Sequence, residues 1–490
     1  MNVRLGRREF MKTAAAGVGA VAGARLLDMP YIIAAPPAGK LRTAMIGCGG
    51  QGTNAHVPHA ARENLVALID ADDNNLAKAM KKAKEANPNL DTAKVRTFHD
   101  YRTFFDQMHK EVDAVFIATP NHHHALPALI AMYHGIGAYV EKPMAYDIHE
   151  ARLMAEYAKR YKVATQMGNQ GHSGEGYRRL CEYIWAGAIG NVTEVYSWCD
   201  RKNGGVGPRP PAMPVPAGLH WDEWIGPAPF REYHPDTMSV GKDGKTKVGH
   251  LHPHEWHGWH DFGNGSLGNM GAHVLDGAYW ALKLGAPTSI EMEEMNGGSD
   301  ERYPIGTRLR WEYPARGDMP PVKVYWYDGA RAGVKNAGTG DTGDNVGKSA
   351  RNLPPLVTEL QKQQDWKFDS NGTLYVGDKG IMYTATYGGG VRIIPEAKHK
   401  AFPVPEKKIP RIEKLSHQGD FLRGVRGVQE PCANFGYSAG LTEMVLLGNL
   451  AIKAGVGKKV EWDGNKCTNM PEVNKFLKRD YRKGWEIPSS

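Results

Sequence analysis

A short apolar run that breaks into a glycine-rich turn constrains this chain more than any other feature. Residues Thr43–Ile46 are predicted to form a buried strand, and Gly47-Cys-Gly-Gly-Gln-Gly52 and a helix-like stretch follow them. A second apolar run, Leu65–Ile69, ends in Asp70. A strand, a Gly-x-Gly-x-x-Gly turn, a helix and a second strand that ends in an acid form the dinucleotide-binding fingerprint.

The spacing of the turn gives each position a physical role. Gly47 permits the tight turn, Gly49 lets the backbone approach a pyrophosphate, and Gly52 lets the helix pack close to the strand. Asp70 would accept hydrogen bonds from the ribose hydroxyls of NAD and repel the 2′-phosphate of NADP. We therefore predict NAD as the cofactor, with NADP less favoured. The alternative is a helix–sheet turn without a ligand. The predicted contacts of the turn are Gly47, Gly49, Gly50, Gln51 and Gly52.

Apolar runs alternate with helix-like stretches through residue 167, which predicts a parallel, doubly wound sheet of the Rossmann type. The predicted strands are Thr43–Ile46, Leu65–Ile69, Val95–Phe98, Asp113–Ala118, Ala138–Val140 and Val163–Gln166. The predicted helices are Leu76–Ala86, Tyr101–Met108, His124–Tyr133 and Ile148–Tyr161. A ligand of such a sheet binds outside the carboxyl ends of the strands.

The pattern changes after residue 167, where a helix and then a series of strand-like runs predict an α+β domain with a large, mostly antiparallel sheet. The helix is Tyr177–Ala186, and the runs are Val192–Asp200, Thr307–Tyr313, Val322–Tyr327, Thr373–Val376 and Ile381–Thr386, with a hairpin at Gly377–Gly380. Gly329–Ser349 is predicted to be an exposed loop. Leu441–Ala454 is predicted to be an apolar helix that packs on the body of the protein.

The first residues of the chain have the pattern of an export signal. Arg7-Arg8 precedes a small, apolar stretch from Thr13 to Ala24 that is too short for a permanent membrane span. We expect twin-arginine export of a folded, cofactor-loaded protein to the bacterial periplasm, with no other membrane association. The predicted segments are thus the signal (1–39), the NAD-binding Rossmann domain (40–167), the α+β domain for substrate and oligomerisation (168–464) and a tail (465–490).

Composition excludes some classes of function. The 490 residues carry a formal net charge of +8, part of which belongs to the signal segment. No basic run is interleaved with aromatic residues, so we expect no nucleic-acid partner. The five cysteines form no CxxC pair and no zinc spacing. In an oxidising compartment one disulfide is possible, and the sequence does not assign it.

Six motifs follow one another in a recognisable order. They are Gly47–Gly52, Ala118-Thr-Pro-Asn-His-His-His124, Val140-Glu-Lys-Pro143, Gly187-Ala-Ile-Gly190, Gly268-Asn-Met-Gly-Ala-His-Val-Leu-Asp276 and Val460-Glu-Trp-Asp463. With them the chain resembles the Gfo/Idh/MocA oxidoreductases, the family of glucose–fructose oxidoreductase and inositol dehydrogenase. The resemblance covers nearly all of residues 40–465. The tail from Phe476 to Trp485 resembles a secreted, twin-arginine-exported subgroup.

The resemblance implies two catalytic residues, Lys142 and His273. In the family this lysine contacts the substrate hydroxyl and the cofactor, and its ammonium can polarise a developing alkoxide. The histidine serves there as the general base for the hydroxyl proton. Glu141 is predicted to orient the loop or to contact the nicotinamide ribose. Relatives commonly associate through the open sheet of the second domain, so we expect a homo-oligomer.

The loop after the fourth strand is implied by the resemblance to line the nicotinamide side of the site. The cofactor contacts expected there are Thr119, Pro120, Asn121 and His124. The neighbouring His122 and His123 have no such match and are predicted to lie at the surface.

Two positions near His273 qualify this assignment. Asp276 would share a helix face with His273 and could orient it, or it could belong to an unrelated ion pair. Dehydrogenases of the family often carry Asp four residues before the histidine, where this chain has Asn269. An amide can bond a sugar hydroxyl but cannot accept a proton as a base, so proton transfer would depend on His273 and Lys142.

The segment 250–262 is unusually rich in His and Trp. A metal site would use His252, His254, His257 and His260, but their spacing matches no zinc pattern, and we predict no metal. The favoured interpretation is a carbohydrate wall in which aromatic faces stack on sugars and polar groups bond hydroxyls. Its members would be Trp256, Trp259, His257 and Asp261, and the alternative is a packed aromatic loop. Gln166, Asn169 and Gln170 are further candidates for contacts in the cleft, and Gln170 is predicted to contact the substrate.

These observations predict an NAD-dependent oxidoreductase that transfers hydride between a hydroxyl-bearing carbon of a sugar, glycoside or polyol and a tightly bound nicotinamide. A second hypothesis is a redox-neutral glycosidase that oxidises, eliminates, adds water and reduces with no net change of NAD. A third is a non-catalytic sugar or nucleotide sensor.

Overall fold

The computed structural model describes residues 39–240, 245–334, 345–364, 367–412 and 416–487. The predicted signal segment, apart from Gly39, lies outside the described residues, as do residues 335–344 of the predicted Gly329–Ser349 loop. Within the described part, a six-stranded sheet, an eight-stranded sheet and a small two-stranded sheet organise the chain.

The first sheet is the predicted parallel sheet. Its strands are β1 (Arg42–Ile46), β2 (Asn64–Ile69), β3 (Arg96–Phe98), β4 (Ala114–Ile117), β5 (Gly137–Val140) and β6 (Thr165–Met167). They lie in the order β3-β2-β1-β4-β5-β6, and every neighbouring pair is parallel. The strand order reverses between β1 and β4, so the carboxyl ends of these two strands flank the crevice where ligands of such sheets bind.

Helices pack on this sheet through two separate hydrophobic cores. The helices are α1 (Val57–Arg62), α2 (Asp73–Ala86), α3 (Tyr101–Met108), α4 (Ala125–Tyr133) and α5 (Ile148–Tyr161). Alternate strand residues enter different cores: Ile46 packs with α3 to α5, and Met45 packs with α1 and α2. Aspartates cap three of the helices, and each accepts a backbone N–H of the first turn; they are Asp72, Asp100 and Asp147.

The second sheet is the large, mostly antiparallel sheet that the sequence predicts. Its strands are β7 (Val192–Cys199), β10 (Ser289–Asn296), β11 (Gly306–Tyr313), β12 (Val322–Gly329), β13 (Gly372–Gly377), β14 (Gly380–Ala385), β15 (Arg392–Ile394) and β16 (Lys459–Glu461). Their order is β15-β14-β13-β7-β12-β11-β10-β16, and β7 and β12 pair in parallel. Strands β8 (Thr237–Val240) and β9 (Thr246–Gly249) form the separate hairpin.

In the described part of the chain, eight further helices follow the first sheet. They are α6 (Glu175–Trp185), α7 (Trp221–Ile225), α8 (Gly265–Val274), α9 (Asp276–Ala281), α10 (Pro355–Gln364), α11 (Glu396–Ala401), α12 (His417–Val425) and α13 (Phe435–Ala454). Helix α13 begins earlier than the predicted start at Leu441, because Asn434 caps it. It packs against α5 on one side and against α8 and β10 on the other, so residues of both sheets share one core.

A long connection between β7 and α8, residues 200–262, forms a body of its own that we call the insertion. It contains α7 and the β8–β9 hairpin. Its aromatic core includes Trp221, Trp224, Trp256, Trp259 and Phe262. The insertion contacts the Rossmann domain through an antiparallel bridge between Leu219 and Asp72.

The C-terminal segment, residues 471–487, which we call the tail, is fastened to the Rossmann domain. The guanidinium of Arg479 pairs with the carboxylate of Glu150 at 2.7 Å and donates to the carbonyl oxygen of His122 at 2.6 Å. The Tyr481 hydroxyl donates to the same carboxylate at 2.6 Å. Since Glu150 is fully buried, these contacts supply the hydrogen bonds that its charge requires.

Neither a disulfide nor a membrane-spanning helix occurs among the described residues. All five cysteines are described, and all carry free thiols. No described helix combines the length and the apolar character needed to cross a bilayer.

We expect Arg479→Ala to lower the free energy of unfolding by about 3 kcal/mol, because it leaves the buried Glu150 carboxylate without its cation. Urea unfolding of the purified variant measures this change. The control is Arg392→Ala, which removes an exposed pair with Glu396 and should cost less than about 0.5 kcal/mol. Equal effects of the two changes would contradict a structural role for the tail.

Candidate active site

The glycine turn has the geometry that its fingerprint requires. Gly47 has a φ of +87°, and a Cβ at this position would lie 2.6 Å from the carbonyl carbon of Ala118. A Cβ on Gly52 would lie 2.0 Å from the carbonyl oxygen of Gly47, so the following helix can approach the strand only without a side chain. Gly49 and Gly50 have open space around them, which leaves their backbone accessible to a ligand.

Asp70 joins the second strand to this turn. Its Oδ2 accepts the backbone N–H of Cys48 at 2.5 Å, and its Oδ1 accepts that of Asp72 at 2.8 Å. Burial raises the pKa of the Asp70 carboxyl, and the hydrogen bonds oppose that effect. The side chain therefore supports the turn while it lines the cavity, and its other lone pairs stay available to a ribose hydroxyl.

A cavity of about 250 Å³ lies between the glycine turn and the insertion. The Rossmann domain contributes one wall, which includes Gly47, Gly49, Gly50, Gln51, Asp70, Thr119 and Pro120. The insertion contributes the opposite wall, which includes Trp224, His252, Pro253, His254, Trp256 and His257. The cavity thus has walls from two distant parts of the chain.

The loop after β4 carries four predicted cofactor contacts. Three of them lie in or next to the cavity wall, and the fourth, His124, connects two loops. Thr119 and Pro120 line the cavity, and Asn121 is buried beside them. His124 is absent from the cavity wall, since its ring nitrogens contact the carbonyl oxygens of Pro143 at 2.6 Å and Thr119 at 2.8 Å. It therefore holds the two loops together instead of contacting the cavity.

The prediction that His122 and His123 lie at the surface is wrong. Both are buried, and the Nε2 atom of each contacts the carbonyl oxygen of Trp224, at 2.9 and 2.8 Å. The insertion covers them, and no local sequence pattern indicates this contact.

Glu141 links the glycine turn to Lys142, the lysine predicted to be catalytic. Its carboxylate accepts hydrogen bonds from His56 at 2.9 Å, Gln51 at 3.1 Å and Gln170 at 3.2 Å. Burial alone would raise the pKa of Glu141, but the His56 contact and the neighbouring charge of Lys142 outweigh it and lower the pKa to about 2. Glu141 is therefore ionised at neutral pH.

The ammonium of Lys142 is held by the second domain. Its Nζ donates to the backbone oxygen of Asn269 at 2.7 Å and to the side-chain Oδ1 at 2.8 Å. The amide nitrogen of Asn269 in turn donates to Oδ1 of Asn203 at 2.8 Å. Burial lowers the pKa of Lys142, and the charge of Glu141 opposes that shift. The peptide bond to Pro143 is cis.

His273 lies one helical turn after Asn269 on α8, so the two share a helix face. Its ring is buried, and its Nδ1 has no hydrogen-bond partner among the described residues. Burial, together with the charge of Lys142, lowers the pKa of His273 to about 3. The imidazole is therefore neutral at neutral pH and can accept a proton or a hydrogen bond.

The suggestion that Asp276 orients His273 is wrong. The Asp276 carboxylate accepts hydrogen bonds from Tyr437 at 2.6 Å and Asn169 at 3.0 Å, and it lies 3.0 Å from Nδ1 of His172. Asp276 begins the next helix, α9, and its contacts are directed toward α13 and the segment after β6. It organises the core behind the site.

The predicted carbohydrate wall divides into three environments. Trp259 is fully buried and donates its indole N–H to Asp236 at 2.8 Å, so neither ring face is open to a sugar. Asp261 forms an ion pair with Arg231 within the insertion. Trp256 and His257 stack at 3.7 Å and line the cavity opposite the glycine turn. The assignment of Trp259 to a substrate wall is therefore wrong. Asp261 does not line this cavity, and its contact with substrate stays a prediction.

The three polar candidates in and after β6 lie in different environments. Gln170 donates to the Glu141 carboxylate at 3.2 Å, and its contact with substrate stays a prediction. Gln166 is buried and donates to the backbone oxygen of His417 at 2.6 Å, so it is part of the protein interior. The same holds for Asn169, which is bonded to Asp276.

The sequence analysis missed two residues that contact the Lys142–Asn269–His273 cluster. Tyr387 packs edge-on against His273 with ring centroids 4.8 Å apart, and its φ is +60°, which is rare for an aromatic residue. Its position within Thr386-Tyr-Gly-Gly-Gly390 was the one available signal. Asn203, which holds Asn269, begins the insertion and carries no recognisable motif.

Among the described residues, one group of three side chains could offer ligand atoms to a metal ion, and none of the three belongs to segment 250–262. Donor atoms of Asp73, His99 and His220 lie within 4.8 Å of one another. The two imidazoles stack at 3.6 Å with planes 19° apart. Since imidazole lone pairs lie in the ring plane, stacked rings cannot both point at one ion, and the trio joins the insertion to the Rossmann domain.

Two family models match the chain. One, described as an oxidoreductase family with an NAD-binding Rossmann fold, matches residues 41–169. The other, described as the C-terminal alpha/beta domain of the oxidoreductase family, matches residues 190–313. Together they cover more than half of the sequence. The chain belongs to the Gfo/Idh/MocA oxidoreductase family. NAD, predicted from the glycine turn, is the cofactor named in the description of its first domain.

Individual relatives are more distant. The rhizopine catabolism protein MocA of Rhizobium meliloti is 31% identical over 154 residues, which are 31% of this chain and 45% of that protein. The 2,7-anhydro-N-acetylneuraminate hydratase of Mediterraneibacter gnavus is 30% identical over 100 residues, 20% of this chain and 27% of that protein. The chain thus spans less than half the length of these curated relatives.

A solved structure has the same fold. The WlbA dehydrogenase of Chromobacterium violaceum, in complex with NADH and UDP-GlcNAcA, superposes with a TM-score of 0.54 at 15% identity. The match covers 88% of this chain and 99% of that chain.

The residues at the crevice fit a dinucleotide. Thr119 Oγ1 in the cavity wall and Oδ1 of Asn121, two residues later, are buried and have no hydrogen-bond partner among the described residues; the same is true of His273 Nδ1 on α8. Buried polar atoms are normally bonded, so unpaired atoms in and next to a cavity wall are suited to a polar ligand. The open backbone of Gly49 and Gly50 adds N–H groups for a pyrophosphate.

We expect the free energy of unfolding to fall as the pH falls from 6.5 to 5. His123, His260 and His273 have pKa values lowered to about 3 by burial, from an ordinary value of 6.5. Between these values the unfolded chain binds more protons than the folded one, so acid favours unfolding, by up to about 1.4 kcal/mol per histidine per pH unit. Urea unfolding at a series of pH values measures the slope.

The matched variant for this measurement is His260→Asn, which leaves Lys142 and His273 unchanged. It should reduce the slope of the free energy of unfolding against pH by the contribution of one histidine, up to about 1.4 kcal/mol per pH unit. A stability that stays constant between pH 6.5 and 5 would contradict the neutral, buried state of these histidines.

Proposed function

We propose that the protein is an NAD-dependent oxidoreductase that moves hydride between a hydroxyl-bearing carbon of a sugar, glycoside or polyol and a tightly held nicotinamide. One observation carries this proposal. The ammonium of Lys142 is bonded to Asn269, one turn before His273, so it lies against the helix that carries the neutral imidazole. Glu141, next to Lys142 in the chain, is bonded to Gln51 of the cavity wall.

The residues of the crevice have separate roles in this reaction. NAD, when bound, supplies the acceptor or donor of the hydride. The glycine turn and Asp70 would hold its pyrophosphate and ribose. Lys142 stabilises negative charge on the substrate oxygen, and His273 accepts the hydroxyl proton. The ammonium makes the hydroxyl more acidic, which offsets the low basicity of His273.

Asn269 distinguishes this site from that of many dehydrogenases in the family. An aspartate at this position would form an ion pair with Lys142. The amide holds the ammonium at 2.8 Å without neutralising it. The full charge of Lys142 therefore remains available to the substrate oxygen.

Redox-neutral glycosidase chemistry is the second candidate. It would use the same oxidation step, then eliminate the glycosidic substituent, add water and return the hydride. A relative named as a hydratase of an anhydro sugar, 30% identical over 100 residues, supports keeping this candidate. A non-catalytic sensor is the third, and it would bind nucleotide or sugar without turnover.

The cellular setting is part of the proposal. The Arg7-Arg8 pattern supports twin-arginine export to the periplasm. We also propose a small carbohydrate substrate and self-association of the chain.

We expect Lys142→Ala to lower turnover by at least about 10²-fold, because the developing alkoxide loses its cation. NAD binding, measured by fluorescence titration, should change little. The control is Lys453→Ala, which removes another partly buried lysine, one that packs over the rings of Tyr303 and Phe476 instead of contacting Asn269. Full activity of Lys142→Ala would remove this lysine from the mechanism.

An aryl glycoside assay separates the candidate functions. We expect a keto sugar together with a rise in NADH absorbance if the protein is a net dehydrogenase. Release of phenol without net NADH would support the redox-neutral glycosidase instead. Absence of turnover over a broad sugar panel, in a protein that binds no NAD, would support the sensor.

A further inference from the structure

The part of the insertion that faces the glycine turn is residues 218–226 and 250–257, which we call the cap. Trp224, His252 and Trp256 of the cap line the cavity opposite Gly49 and Asp70. A bare Rossmann sheet leaves the ligand on its open edge, outside the carboxyl ends of the strands. Here the second domain covers that edge.

The cap is bonded directly to the loop that follows the ribose-binding acid. The Asp73 N–H donates to the Gly218 oxygen at 3.0 Å, and the His220 N–H donates to the Ala71 oxygen at 2.8 Å. The ring Nε2 of His252 lies 3.0 Å from Oδ2 of Asp72. Backbone and side-chain contacts thus attach the cap to the three residues that follow Asp70.

A second set of contacts holds the cap beside the loop after β4. His122 and His123 both contact the carbonyl oxygen of Trp224. A Cβ on Gly226 would lie 1.9 Å from Cε1 of His123, so this part of the cap packs directly on the imidazole. The cap is therefore attached on both sides of the cavity.

The tail fastens the cap from outside. Arg482 pairs with Asp222 of α7 at 2.6 Å, and its backbone N–H donates to the oxygen of Pro227 at 3.1 Å. The ring of Trp485 packs against Tyr101 and His123 with centroids 5.6 and 5.7 Å apart. Tyr101 and His123 also line the cavity, so the tail closes on the wall of the nucleotide site.

We propose that the cap is a third wall of the cofactor site, that it contacts the adenosine half of NAD through Trp224, His252 and Trp256, and that the tail locks it. NAD then leaves only when the cap opens, and the enzyme retains one cofactor molecule through successive turnovers. This inference rests on the proposed function, because it takes NAD to be the occupant of the cavity.

The first test measures the dissociation rate of NAD from the holoenzyme by chasing bound, radiolabelled NAD with excess unlabelled NAD. The double variant Arg482→Ala/Trp485→Ala should release NAD about tenfold faster than the wild type, since it removes the lock and leaves the cavity wall intact. The control Arg392→Ala removes an exposed ion pair that does not involve the cap, and should leave the rate unchanged.

The second test closes the cap covalently. Asp72 and Leu219 face each other in the antiparallel bridge of this contact, and neither lines the cavity. The Cα atoms of such a directly opposed, non-hydrogen-bonded pair lie about 4.5 Å apart, which is within the range of a disulfide. In the variant Asp72→Cys/Leu219→Cys, oxidation should slow NAD release at least about tenfold relative to the same protein after reduction. This comparison within one protein stays valid if the tail variant folds poorly.

The outcomes distinguish a failure of the cap proposal from a failure of the proposed function. A wild type that binds NAD and exchanges it as fast as the tail variant would overturn the cap proposal and leave the oxidoreductase proposal standing. Equal release from the oxidised and reduced cysteine variant would do the same. A wild type that binds no NAD would overturn the proposed function itself.

Discussion

The hydrogen bonds between the Lys142 ammonium and Asn269 are the interaction on which the candidate active site depends. Lys142 follows a strand of the first sheet, and Asn269 belongs to a helix packed on the second sheet. The bonds form because α13 packs both sheets into one core, which fixes the distance between these elements. The proposed catalytic pair, Lys142 and His273, comes from two domains and therefore needs the whole fold.

Burial determines the charge state of this pair. Removal from water makes the imidazole of His273 neutral and lowers the pKa of Lys142, while hydrogen bonds from His56 and Gln51 keep Glu141 ionised. Electrostatic interactions strengthen in such an environment. One cation, one anion and one neutral imidazole are thus gathered around Lys142. In the proposed reaction the substrate hydroxyl loses its proton there and the carbon that bears it loses a hydride.

The sequence predicted what depends on local pattern. The glycine turn, Asp70 and the six parallel strands follow from apolar periodicity and turn chemistry, and the structure confirms the parallel sheet and its strands. Prediction from the sequence failed where the contacting residues are far apart in the chain. His122 and Trp224 are 102 residues apart, and Asp276 and Tyr437 are 161 apart. Nothing within a few residues of either partner indicates such pairs, so buried histidines were placed at the surface.

A covered cofactor changes which chemistry suits the protein. If NAD stays in place, each hydride taken from a substrate must return to that molecule or pass to a second one before the next cycle. Neither route needs free NAD in solution, so both are compatible with the proposed location outside the cytoplasm. Under the cap proposal, the contact between Asp72 and His252, at 3.0 Å, would bear on the net reaction as well as on binding.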